Sequence, residues 1–448
     1  MKRTLIALLA ILMPYAAWSA ERPTKIRGVR ALGMGDAFTA VADDQNVFFY
    51  NPAGITQRTG GMVTLLEIPL TVGTDLLDAY EFIDDKGDKL KDFDQLTPTE
   101  QADLINEIDR TITKLNPHVG VGAPNINYLS GPIADRYYWG FGGFGQVEGS
   151  FRVNTGIVPS LDYDINADVV IPVTFAAKWT EVKRIPGKIG AGVNLKYIQR
   201  NQIKDERVSV LQLEDFDEPQ MQKGTGLGAD IGLLYQPNNR WNFALASLDF
   251  LGTSLSFDEA TAEKGFTAKP SRVSGIKSRW NLGTSWTPTK IVYWPGKSLS
   301  TKNRLLLAAD VKDIFNAESK VLFGDSFLPD TAWTHVHLGA EYRWWFLRFR
   351  GGTNQGYPTY GLGLDLPLLK IDYAYYSDEL GLYAGSLEQA NHMITVALRF
   401  GGSKTEARER VRGEKSGATA APAAAPVAVP APTTPTQTPV PVEAAPKQ

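Results

Sequence analysis

Three groups of residues have the types and spacing to do chemistry. Gly140, Gly142 and Gly145 spell the G-x-G-x-x-G of a dinucleotide loop, in which glycines let backbone N–H groups approach a pyrophosphate. Asp162, Asp164 and Asn166, with Asp168 following, match the opening of an EF-hand calcium loop. His335 and His337 stand two residues apart and place two imidazoles on one side of an extended chain. Each group fails in its surroundings. The glycine run lies within an alternating segment and opens no helix, because Trp139, Phe141, Val147, Phe151 and Val153 share one face. The calcium pattern has Ala167 where the loop needs glycine and Val173 where it needs a bidentate glutamate. The histidines have no H-E-x-x-H context, and the chain has four histidines and no cysteine. No G-x-S-x-G elbow occurs. The sequence therefore predicts no catalytic residue, no metal ligand and no cofactor.

The elements that carry these residues are strands. From Leu161 to Trp179 every second residue is apolar, while Asp162, Asp164, Asn166, Asp168, Thr174 and Lys178 occupy the other face. Period two over this length fits a membrane-crossing strand, which needs about 9–11 residues and can project further. The pattern recurs in 189–197, 305–312, 336–343 and 369–376. In all, about fourteen strands are expected. They lie near 62–70, 119–129, 136–153, 161–180, 187–200, 224–236, 240–251, 278–287, 303–312, 333–344, 346–353, 358–365, 367–376 and 391–400.

Loop lengths alternate as a barrel with both ends in the periplasm requires, with long odd-numbered connections and short even ones. The connections at 288–302 and 354–357 break the rule. The first long connection, 71–118, holds one predicted helix. Thr97-Pro98-Thr99-Glu100 forms a capping box, and Leu104, Ile108, Ile112 and Leu115 form an apolar stripe behind it. It reads as a cap on the outer mouth or a helix for docking a partner.

Lys2, Arg3, the apolar run Leu5 to Leu12 and the small residues Ala17, Ser19 and Ala20 read as a secretory signal over residues 1–20. No later stretch is apolar and long enough for a transmembrane helix. A net charge of −3 without a Lys/Arg run gives no basis for nucleic-acid binding. With 42 glycines, 17 tyrosines and 10 tryptophans, the composition suits a membrane barrel whose apolar outer face is diluted by a polar lumen. Residues 417–448 are almost wholly Ala, Pro, Thr and Val, so 401–448 is expected to be an extended periplasmic tail, free or reaching a periplasmic partner.

Residues 28–54, GVRALGMGDAFTAVADDQNVFFYNPAG, are too glycine-rich and irregular for a regular helix or strand. Their order of elements resembles the N-terminal signature of the FadL-like outer-membrane barrel superfamily, which includes long-chain fatty acid transporters and PorV- and TraF-type barrels. The resemblance implies a transmembrane antiparallel β-barrel of about fourteen strands (61–400) with residues 21–60 as a hatch inside the lumen. It singles out Gly33, Gly35, Asp43, Asp44, Asn51, Pro52, Ala53 and Gly54 as hatch residues. Asp43 and Asp44 are expected to pair with a lumen of mixed charge, made by Lys196, Asp230, Arg279, Asp310, Glu341, Arg343, Arg348, Arg350, Asp365 and Asp372. Transporters of this superfamily have a kinked third strand that opens the wall sideways, and Gly142, Gly143 and Gly145 are the candidates here. The final strand, ending at Phe400, resembles the C-terminal signal by which such barrels engage the assembly machinery. The expected setting is the outer membrane of a Gram-negative cell, with the lipid bilayer as first partner. Two functions follow: hatch-gated passive uptake of a hydrophobic small molecule, fatty-acid-like, or a scaffold barrel presenting loops or tail to other proteins. GAEY (339–342), NQGYPTYGLGL (354–364) and IDYAYY (371–376) look closest to the PorV- and TraF-like branches.

Overall fold

The computed structural model describes residues 20–111, 115–154, 160–180, 182, 184–209, 221–260, 269–294, 297–302, 304–315, 332–381 and 383–401. Apart from Ala20 and Gly401, the leader (1–20) and tail (401–448) readings lie outside them. Fourteen antiparallel strands form one closed barrel. They are β1 (Met62–Gly73), β2 (His118–Gly122 and Asn125–Leu129), β3 (Tyr137–Asn154), β4 (Ser160–Trp179) and β5 (Lys188–Ser209). Next come β6 (Gln222–Gln236), β7 (Trp241–Leu248 and Thr253–Phe257), β8 (Arg272–Ile276 and Arg279–Trp286) and β9 (Leu305–Val311). The wall is completed by β10 (Val336–Trp344), β11 (Leu347–Asn354), β12 (Tyr357–Asp365), β13 (Leu369–Glu379) and β14 (Glu388–Phe400). β14 closes the sheet on β1, with Val63 opposite Phe400 and Gly73 opposite Asn391.

Alternation decides which face is which. In β4, Asp168, Val170, Thr174, Ala176 and Lys178 are buried inside, while Val169, Ile171 and Phe175 are exposed outside. The same outer belt runs through Leu195, Leu233, Leu282, Leu338, Leu362, Ile394 and Val396. Aromatic residues gather at the end of the wall where the even connections lie: Trp139 stacks on Phe141, and Trp241 stacks on Phe243 and Trp286. An apolar belt edged by aromatics on a closed sheet is the outer-membrane design. None of the described helices is long and apolar enough to cross a membrane. At 18, 20 and 22 residues, β3, β4 and β5 exceed the length needed to cross and stand above the opposite wall.

Both exceptions to loop parity have a structural cause. Between β11 and β12 only Gln355 and Gly356 intervene, both at positive φ (53° and 94°), as a tight two-residue hairpin turn requires. Between β8 and β9 the chain makes a separate two-stranded hairpin, Lys290–Trp294 with Lys297–Ser300. The long first connection holds two helices rather than one, α2 (Asp75–Lys91) and α3 (Pro98–Thr111). α3 has the expected capping box, with Thr97 N donating to Glu100 Oε2 at 2.9 Å. Phe82 and Phe93, from α2 and the segment after it, bury against Leu104 and Ile108 of α3. α2 escapes a pattern search because acids interrupt its apolar positions and Gly87 sits inside it.

Candidate functional site: a filled lumen below an outward cavity

From Ile26 to Gln57 the chain is almost wholly buried in the lumen, and it is built from short turns that its own sequence caps. α1 (Val29–Leu32) is a single turn ending at Gly33. Gly35 follows at φ +64°, where a Cβ would lie 2.2 Å from the Leu338 carbonyl oxygen, so only glycine fits. Asp44 caps a 3₁₀ turn over Gln45–Phe48 by accepting from Asn46 N at 3.1 Å. Asn51 caps a second, Pro52–Gln57, accepting from Ala53 N at 3.0 Å, with Pro52 at the first helical position. Gly54 presses on the chain itself, its would-be Cβ 2.2 Å from Ala42 O.

Ion pairs hold this segment to strands on several sides of the wall. Arg30 donates to Glu341 through Nε (2.9 Å) and Nη2 (3.1 Å), and through Nη1 to Asp43 (2.5 Å) and Asp44 (3.2 Å). Glu341 also accepts from Arg350 at 3.0 Å, and Arg350 reaches Asp372 at 2.8 Å. Arg27 forms a two-point pair with Asp378 at 2.8 and 2.5 Å. Asp36 accepts from Lys312 and from the Tyr50 hydroxyl. Asp310 accepts from the backbone N–H groups of Phe38 (2.7 Å) and Thr39 (2.8 Å). Asn51 Nδ2 donates to Thr39 O at 3.0 Å and across to Leu233 O of β6 at 3.2 Å. Asn194 Nδ2 donates to Phe48 O at 3.1 Å. Burial pushes the Asp44 carboxyl up, but Arg30, Lys370 and Arg399 outweigh it and hold it well below the usual carboxylate range. Asp36 follows the same logic, with Lys312 and Arg27 overcoming burial. Burial and the Asp36 charge push the Tyr50 phenol well up.

Above the segment lies a cavity of about 450 Å³, toward the ends of β9–β13 that carry the odd, outer connections. Its volume suits a small-molecule site. Charges of both signs line much of it, including Arg27, Lys196, Asp230 and Asp378, while Ile26, Phe49, Tyr50, Leu248 and Ile276 supply an apolar side. Phe49 meets Phe144 of β3 edge-on at 4.8 Å, and Phe48 meets the same ring at 5.6 Å.

Phe144 belongs to a break in the wall. β3 and β4 pair from Phe141 with Val173 and again from Phe144 with Val170, but Gly142 and Gly143 are unpaired with β4. Pro172 of β4 falls in this gap and has no N–H to give. β2 is interrupted at Ala123 and Pro124, where Asn125 Oδ1 accepts from Gly145 N at 3.0 Å. β1 shifts register against β14 between Leu65 and Ile68. The three glycines therefore lie in an irregular patch, with Gly143 on its open side: a Cβ there would meet nothing within 4 Å.

The protein is a fourteen-stranded β-barrel filled by its own N-terminal segment. No protein-family model matches the chain, and no curated protein matches it. Among solved structures, it is similar to a mutant of the TodX monoaromatic hydrocarbon channel (12% identity, 84% of this chain and 99% of that one, TM-score 0.45). It is similar to the Ralstonia pickettii toluene transporter TbuX (15%, 83% and 97%, 0.43). A Pseudomonas aeruginosa FadL homologue is likewise similar (11%, 86% and 99%, 0.40).

In this barrel the other sequence candidates do structural work. Asp168 pairs with Arg200 at 2.7 Å, and Asp164 with Arg22 at 3.1 Å. His337 Nδ1 contacts Gly35 O at 3.1 Å and His335 Nδ1 contacts Lys312 O at 2.9 Å. The expected mixed-charge lumen is present and organised into clusters, such as Lys196 between Asp230 (2.8 Å) and Asp249 (2.9 Å). Sequence reasoning missed Arg27, Arg30 and Lys312. The available signal was that a buried Asp43-Asp44 pair needs cations, and Arg27 and Arg30 flank the same motif.

Proposed function

We propose that this barrel passes a hydrophobic small molecule across the outer membrane passively, fatty-acid-like in character, with residues 21–60 as its hatch. The observation that carries the reading is the outward cavity whose apolar side, through Phe49, meets Phe144 at the broken stretch of β3. A molecule would lodge in the cavity and leave sideways past Gly142, Gly143 and Gly145 into the bilayer once Phe48 and Phe49 shift. The test is uptake of a fluorescent fatty acid by proteoliposomes: the full chain should exceed protein-free vesicles, and equal rates would reject the proposal.

A scaffold role is favoured by one observation, the ion pairs that fill the lumen. On that reading uptake is at background, and deleting 404–448 or replacing 71–118 removes a co-purifying protein. On the transport reading those deletions leave uptake intact.

A further inference from the structure

The hairpin between β8 and β9 stands out because it occupies an even connection, on the periplasmic side, where barrels use short turns. Between Thr287 and Arg304 the chain has Lys290, Lys297, Lys302 and Arg304 and no acid. All four cations are exposed. So are three large apolar side chains, Val292 (64%), Tyr293 (66%) and Leu299 (64%), which nothing in the barrel covers. The hairpin springs from Trp286, which stacks on Trp241 at 5.5 Å; Trp241 in turn stacks on the outward-facing Phe243. Its root is thus continuous with the aromatic edge of the lipid-facing belt.

Cations beside exposed aromatic and aliphatic side chains, next to an aromatic girdle, are the composition of an element lying in a lipid interface. Basic residues near a membrane surface are drawn to anionic headgroups, while the apolar side chains enter the boundary below them. A soluble acidic partner would satisfy the cations but leave Val292, Tyr293 and Leu299 in water. A second copy would cover the apolar residues but oppose like charges. We infer that the 290–300 hairpin is a lipid-binding device that lies on the periplasmic leaflet and engages anionic phospholipid headgroups.

The chain has no cysteine, so Val292→Cys in the full-length protein gives a single labelling site. With a polarity-sensitive fluorophore there, the barrel is reconstituted in nanodiscs of phosphatidylcholine with or without phosphatidylglycerol. Emission should shift to the blue and be quenched by brominated acyl chains when phosphatidylglycerol is present. The combined K290E, K297E and K302E substitutions should abolish both effects, with heat-modifiable gel migration confirming that the barrel still folds. Emission typical of water in both lipids would overturn the inference. A blue shift that ignores lipid charge and survives charge reversal would also overturn it, pointing to a protein contact instead.

Discussion

Glu341→Gln is the sharpest perturbation of the way the lumen is held. Glu341 is 1% exposed and joins Arg30 of the N-terminal segment to Arg350 of the wall. Removing one member of a buried ion network costs about 3–5 kcal/mol when the remaining charge is stranded. Here Arg30 keeps Asp43 and Asp44, and Arg350 keeps Asp372, so neither guanidinium is stranded. The cost therefore falls below that range, at the value of lost charge-assisted hydrogen bonds, about 1.5–3 kcal/mol, which corresponds to roughly a 10- to 150-fold rise in opening of the segment. Hydrogen exchange read by mass spectrometry on peptides from 28–58 measures that opening directly. Arg30→Gln should act similarly, and the double variant should cost less than the two singles combined. Unchanged exchange in 28–58 would refute the reasoning. So would an equal rise in β10 and β11, since Glu341 and Arg350 face each other across those strands and the wall would then be what was lost.

Other predictions follow from the same contacts. Gly54→Ala places a methyl 2.2 Å from the Ala42 carbonyl oxygen and should cost about 1–3 kcal/mol of segment docking, read by the same exchange measurement. Gly143→Ala meets nothing within 4 Å and should leave Tm unchanged, whereas Gly143→Trp should keep the barrel folded and lower fatty-acid uptake by covering the break in the wall. Asp36 and Asp44 have folded values below the ordinary carboxylate value, so their stabilisation is complete above about pH 4 and is lost as pH falls through the lower folded values. Exchange in 28–58, corrected for intrinsic rates, should rise as pH falls below about pH 4. Exchange that stays unchanged down to about pH 3 would indicate that other groups hold the segment.

Much of the fold was legible because a two-sided strand must alternate. Each of the fourteen expected strands has its counterpart, including weakly patterned ones such as β2 and β7. What blurred those two is visible in the wall. β2 is broken at Ala123 and Pro124, and β7 at 249–252, where Asp249, Leu251 and Gly252 take positive φ and Asp249 turns in to meet Lys196. β8 extends back to Arg272, beyond the expected start at 278, because Lys277 and Ser278 interrupt it. The N-terminal segment was legible as a motif but not as a set of partners. Its glycines and caps are local and can be read from spacing, whereas Arg30 with Glu341 joins positions 311 residues apart. Nothing local in the sequence encodes that pairing. The outward cavity was equally illegible, since residues from the N-terminal segment and many strands line it.

The central claim, that the N-terminal segment must move for a hydrophobic molecule to pass, is tested most directly by tying that segment to the wall. A Cβ built on Gly190 of β5 lies 3.3 Å from the Cβ of Thr56 in the segment, near the Cβ separation of a disulfide, and its other near contacts are Thr56 side-chain atoms that a cysteine would replace. Thr56→Cys with Gly190→Cys would place a single disulfide between segment and β5 in a chain that otherwise has no cysteine. In proteoliposomes the oxidised protein should take up fluorescent fatty acid no faster than protein-free vesicles, and reduction should restore the rate. Equal uptake by the oxidised and reduced forms, with the disulfide verified by mass spectrometry, would contradict the account.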